Sequence, residues 1–195
     1  QLLTRHGSVL SILQSLPDYL RFVGLGALAC VSAALLGPVS LLAAGYVVPA
    51  DFSRAALNWW MGDALGMVLI TPLLLVWSSK ISLKTTLRSA GDVLVLFGLV
   101  LLVGQIVFLD LFKQFFAGFA EEHLVFLFMA FIAIRMGPRS VTLALFLISV
   151  QALVGAYLRV GYFADEIARA NLFNFWAYMM IQAVVAMSIT INIFS

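Results

Sequence analysis

Six apolar runs, each near the length of a bilayer crossing, constrain this chain more than any other feature it has. They extend from Phe22 to Val48, Ala55 to Trp77, Val93 to Phe112, Leu124 to Met136, Val141 to Leu158 and Leu172 to Phe194. A hydrocarbon core about 30 Å thick takes roughly 20 apolar residues of helix, which satisfies its own backbone polar groups where water is absent. Only the fourth run is short. Of the 195 residues 64% are apolar and 10% charged, against roughly 25% charged in a soluble domain, too few to cover a water-facing surface. The expected fold is an all-α polytopic transmembrane bundle of about six helices over residues 19–195. Residues 1–18, with Arg5, His6 and Pro17-Asp18, read as a polar cytoplasmic connection into the first span.

The same composition removes several classes of function. The eleven Lys/Arg are scattered and the net charge is +2, so no basic stripe exists to take nucleic acid. Cys30 is the single cysteine and reads as a small apolar residue, not as half of a disulfide or a CxxC pair. His6 and His123 lack a second ligand at metal spacing, so neither metal nor cofactor is expected. No nucleophile–base pair or Gly-rich phosphate loop is present, and no enzymatic site is expected in these residues. The chain starts at Gln1 without an initiator Met and stops inside an apolar run, which reads as a fragment of a longer protein, incomplete at its N-terminus.

The few charges suggest an orientation. Alternate connections place Arg5, Arg21, Lys80, Lys84, Arg88, Arg135 and Arg139 on one side, and Arg54, Lys113, Arg159 and Arg169 on the other. By the positive-inside rule the first set is cytoplasmic, which puts the C-terminus there as well. Trp59, Trp60, Tyr157, Tyr162 and Trp176 then lie near outer boundaries and Trp77 near an inner one, as an aromatic belt requires. Gly37-Pro38 interrupts the first run and is expected to kink one crossing; the alternative is a re-entrant break.

Asn58-Trp59-Trp60-Met61-Gly62-Asp63-Ala64-Leu65-Gly66, continuing to Thr71-Pro72, is the most informative stretch. Asp63 falls about two turns inside its span, where an ionisable group is a functional-site hypothesis by default. Asn58, Trp59, Trp60 and Asp63 therefore form the candidate ligand or signal site, the floor of an outward-facing pocket. In the competing reading Asp63 is a buried staple bonded to a neighbouring helix. Gly62 and Gly66 make a small-xxx-small step suited to close helix approach, and Thr71 could cover a carbonyl freed by Pro72. A second feature, Arg135-Met136-Gly137-Pro138-Arg139, reads as an inner-boundary turn, with phosphate or lipid headgroup binding as the alternative. Gln105, Gln151, Gln182 and Asn192 read as interhelical hydrogen-bonding groups, and His123 as part of a solvated outer loop.

The run from Asn58 to Trp77 resembles the signature of the first class of bacterial membrane-associated sensor domains, in which Trp-Trp-x-Gly-Asp-Ala-Leu-Gly leads into an apolar run with Thr-Pro. Arg135-Met136-Gly137-Pro138 is similar to that family's Arg-x-Gly-Pro turn, and Asp18-Tyr19-Leu20-Arg21-Phe22 to its entry into an inner helix. The resemblance covers residues 15–194 and implies an integral membrane input domain. Such a domain relays a periplasmic or membrane stimulus, a small molecule or a protein, to a C-terminal cytoplasmic module: a histidine kinase of a two-component system, a diguanylate cyclase or a phosphodiesterase. The family's usual domain has further membrane passes ahead of the region matching residue 1, and it brings no catalytic residues to carry over. The expected partners are the lipid bilayer, that effector module and a second copy in a homodimer. The rival expectation is a fragment of a small-solute transporter or permease, which requires broken helices with polar groups at the midplane.

Overall fold

The computed structural model describes residue 13 and residues 15–78, 90–110, 121–164 and 172–194. Among them are six helices and no strand: α1 (Leu16–Ala43), α2 (Phe52–Ser78), α3 (Ala90–Leu109), α4 (Glu121–Arg135), α5 (Gly137–Leu158) and α6 (Phe173–Phe194). A 3₁₀ turn at Pro49–Asp51 leads into α2. Four helices, α1, α2 with its leading turn, α5 and α6, are long and apolar enough to cross a membrane; α3 and α4 supply shorter apolar stretches. Arg5, His6, Lys80, Lys84, Arg88, Lys113 and Arg169 lie outside the described residues.

Helix α1 starts at Leu16, earlier than the expected end of the polar connection, because residues 15–18 form a helix start. The Ser15 hydroxyl oxygen accepts from the Asp18 backbone N–H (3.2 Å), Pro17 occupies the first turn, and the Asp18 carboxylate sits at the positive end of the helix dipole. Asp18 also pairs with Arg21 at 3.3 Å. The helix then runs unbroken through Gly37-Pro38 for 28 residues, so the first run is one crossing and not two half-spans. Helix α2 likewise passes through Pro72 without a break. Thr71 does not repair the ladder there: its hydroxyl makes no hydrogen bond among the described residues.

Helix α5 is the axis of the bundle. It packs against α2, α3, α4 and α6, and buries Ala144, Ala152, Gly155 and Ala156, small residues that let neighbouring backbones approach closely. Its buried hydroxyls are satisfied inside the helix, Thr142 on the Pro138 and Arg139 carbonyls and Ser149 on the Phe146 carbonyl. Two close approaches set the register of α3 against α5. The Phe108 carbonyl lies against Gly155 and Gly161, and one turn away Gly104 lies under the Gln151 amide. Gly161 has φ +73°, so this position combines a left-handed backbone with a contact that any Cβ would obstruct.

These contacts also show the direction of each helix. Gly26 packs against Met67 and Gly37 against Trp59, so α1 and α2 are antiparallel. Trp60 meets Trp176 and Phe126 meets Tyr178, which brings the starts of α2, α4 and α6 to one end of the bundle. The ends of α3 and α5 join them through Phe108, Gly155 and the Tyr162 N–H to Val107 carbonyl bond. Asp51, Arg54, Asp110 and Arg159 therefore share one end, and Arg21, Arg135 and Arg139 the other, as the two charge sets require.

Candidate functional site

The signature stretch occupies the first half of α2, and a helix spreads consecutive residues over all its faces. Asn58, Trp59, Trp60 and Asp63 accordingly do not converge on one pocket. Asn58 lines a cavity of about 340 Å³ at the aromatic end of the bundle, together with Tyr46, Val47, Val48, Asp51, Arg54 and Ala55. Asp51 and Arg54, three residues apart at the start of α2, form no ion pair with each other or with any other described residue. The cavity thus presents a free carboxylate, a free guanidinium and an amide beside the Tyr46 ring, which is 82% exposed.

Trp59 points the other way, its six-membered ring over Gly37 of α1, where a Cβ would collide with it. The Gly37 of the sequence pattern is thus a seat for an indole. Trp60 faces the interior. Its Nε1–H donates to the Ala27 carbonyl of α1 at 2.8 Å, and its ring lies 5.3 Å from that of Trp176 on α6. One side chain therefore joins the first, second and last helices.

Asp63 is neither the floor of a pocket nor a buried staple. It is exposed on the outside of the bundle and makes no hydrogen bond or ion pair among the described residues; it faces the half-buried Cys30 of α1 across the hairpin within coulombic range. The physical reason is register: Met61, Ala64, Leu65 and Val68 take the buried face of α2, which turns position 63 away from it. Gly62 and Gly66 also mediate no close helix approach, since a Cβ at either would meet no atom within 4 Å. The close approaches occur instead at Gly26, Gly37, Gly104 and Gly155.

At the opposite end, Arg135 closes α4, Gly137 adopts φ +74° and Pro138 enters the first turn of α5, so the chain reverses over two residues. The Arg135 guanidinium lies over the Phe131 ring, 5.9 Å from its centroid. Gln151 does bond across helices, its Nε2–H donating to the Leu101 carbonyl of α3 at 3.1 Å. Asn192 bonds within its own helix to the Ser188 carbonyl. Gln182 is 1% exposed, and neither its amide nitrogen nor its oxygen has a partner.

An aromatic cluster that single-residue reading does not reveal occupies the same end of the bundle as the cavity. Phe163, fully buried, packs against Phe108 (5.7 Å), Phe175 (5.4 Å), Tyr178 (5.6 Å) and Tyr162 (4.8 Å). Tyr157, Tyr162 and Trp77 are half or more exposed, as belt anchors are. The only sequence signal for the cluster is the density of Phe and Tyr around residues 162–178. Among the described residues no group of His, Cys, Asp and Glu could hold a metal ion.

A family model, MASE1, matches residues 4–193 of the chain. No curated protein and no solved structure matches it.

Proposed function

Because the chain belongs to the MASE1 family of membrane-associated sensor domains, a membrane input module, we propose that it receives its stimulus at the end of the bundle holding the Asp51–Arg54–Asn58 cavity and relays it through α6. In this reading that end is periplasmic, the membrane is the bacterial inner membrane, and all six helices cross it. The C-terminus of α6 is cytoplasmic and feeds a C-terminal signalling module, a histidine kinase or a cyclic-di-GMP enzyme, in a homodimer. The stimulus is a small molecule or a protein segment, and these residues themselves catalyse nothing.

The observation that carries the proposal is Trp60. A displacement of the α1–α2 hairpin, which forms the cavity, moves an indole that is hydrogen-bonded to α1 and packed on α6. Relay needs two packings of comparable free energy that the stimulus distinguishes, and a half-buried aromatic pair between three helices can supply them. Helices α1 and α2 remain unbroken at their prolines, which favours relay over a transporter built on discontinuous helices.

The test uses the full-length protein in membranes, with the output of its C-terminal module as readout. Trp60→Phe removes the bond to Ala27 while keeping a ring against Trp176, and Trp176→Leu removes the pair. Both variants are expected to fold and to lock output high or low. Unchanged output and unchanged response in both would refute relay through α6.

A further inference from the structure

The groove between α3 and α4, beside Arg135, is a site of a different kind. It has a volume of about 410 Å³ and is lined by Leu99 of α3 and by Leu127, Phe128 and Phe131 of α4. Leu127 and Phe131 are exposed along it, so it opens to the outside of the bundle. On α4, Leu127, Phe131 and Arg135 follow at steps of four residues, one stripe roughly 12 Å long at helical rise. The groove therefore ends at a cation.

Arg135 is in an unusual position. Helix α4 has 15 residues, about 22 Å, and is shorter than a hydrocarbon core of about 30 Å. The chain turns back immediately after it at Met136 and Gly137, both buried. The short helix draws Arg135 toward the hydrocarbon boundary, where an unpaired guanidinium is costly unless it reaches water or an anion. Among the described residues no acidic side chain pairs with it, and its recorded contact is the Phe131 ring.

We infer that this groove binds one anionic phospholipid from the leaflet at the Arg135 end, its phosphate on the Arg135 guanidinium and an acyl chain along Leu99, Leu127, Phe128 and Phe131. The guanidinium fork matches a phosphate oxygen pair, while the groove supplies apolar contact only and so selects for a chain. A zwitterionic headgroup gains less here, because its own ammonium offsets the phosphate charge that attracts the guanidinium. The site stands on the membrane location of the chain and is independent of the relay through Trp60.

The experiment is native mass spectrometry of the full-length protein released from nanodiscs of equal parts phosphatidylglycerol and phosphatidylcholine. One phosphatidylglycerol is expected to stay bound in preference to phosphatidylcholine. Arg135→Gln should lower its retention about tenfold, the worth of one charge-assisted contact, and Arg135→Lys should keep most of it. Leu127→Trp, at an exposed position, fills the groove without touching the cation and should also release the lipid; it reads the chain site even if Arg135→Gln fails to fold. Equal retention of the two lipids, full retention by both Arg135→Gln and Leu127→Trp, or displacement by inorganic phosphate or glycerol phosphate would each overturn the assignment.

Discussion

Replacing Gly155 by Ala tests the central seam of the bundle. The new Cβ would fall inside the contact radius of the Phe108 carbonyl oxygen and 3.2 Å from the Val160 carbonyl, both backbone atoms that cannot rotate away. To restore an ordinary C···O separation of about 3.3–3.6 Å, α3 must withdraw from α5 by more than about 1 Å. That shift would stretch the Gln151–Leu101 hydrogen bond from 3.1 Å to a length at which it no longer counts as one. Overpacking costs about 1–3 kcal/mol and the lost bond about 0.5–1.5 kcal/mol, offset by about 0.5–1 kcal/mol for exchanging Gly for Ala in a helix. The net expectation is a destabilisation of about 1–3 kcal/mol. Gly24→Ala and Gly98→Ala make the same exchange where a Cβ meets nothing within 4 Å, and should stabilise by about 0.5–1 kcal/mol. Unfolding in nanodiscs, followed by fluorescence of Trp60 and Trp176, reads all three variants. A Gly155→Ala protein as stable as the Gly24→Ala control would refute the α3–α5 packing described.

Gln182→Met exchanges a buried amide with two unpartnered polar atoms for an apolar side chain of similar volume, and should raise stability by about 1–3 kcal/mol in the same assay; a loss of that size would mean the amide is satisfied in the membrane. Asp63→Asn should change stability by no more than about 0.5 kcal/mol, since the carboxylate is exposed and unbonded among the described residues. A loss above about 2 kcal/mol on that substitution would show that Asp63 is engaged by another chain. Trp60→Phe should lose about 1 kcal/mol with the Ala27 bond, so any large change in signalling output is separable from misfolding by a melting curve.

Much of this protein is legible without coordinates, because a bilayer permits few solutions. Runs of about 20 apolar residues must be helices, and the boundaries expected at residues 55–77, 141–158 and 172–194 lie no more than four residues from those of α2, α5 and α6. Ser15, Pro17 and Asp18 mark a helix start by their chemistry, although their polarity reads at first as a connection. The family signature is linear and so visible in the chain itself. Local chemistry also reads correctly at Gly137-Pro138, where a left-handed glycine and a helix-starting proline make a turn whatever surrounds them.

Which face of each helix is covered is another matter. Apolar residues surround these helices on nearly all sides, so the amphipathic stripe that reveals a buried face in water is missing, and sequence spacing cannot tell core from lipid contact. That is why Asp63, a reasonable pocket residue by its depth, turns outward, and why Gly62 and Gly66 leave the close approaches to Gly26, Gly37, Gly104 and Gly155. The meeting of Trp60 with Ala27 and Trp176, the Phe163 cluster and the groove at Arg135 each join residues from separate helices. The sequence by itself determined a helical membrane sensor domain, its helices and the separation of its charges, because those follow from solvation and backbone hydrogen bonding along one chain. Only the tertiary structure decided which side chains meet, because packing between uniformly apolar helices depends on shape and not on polarity.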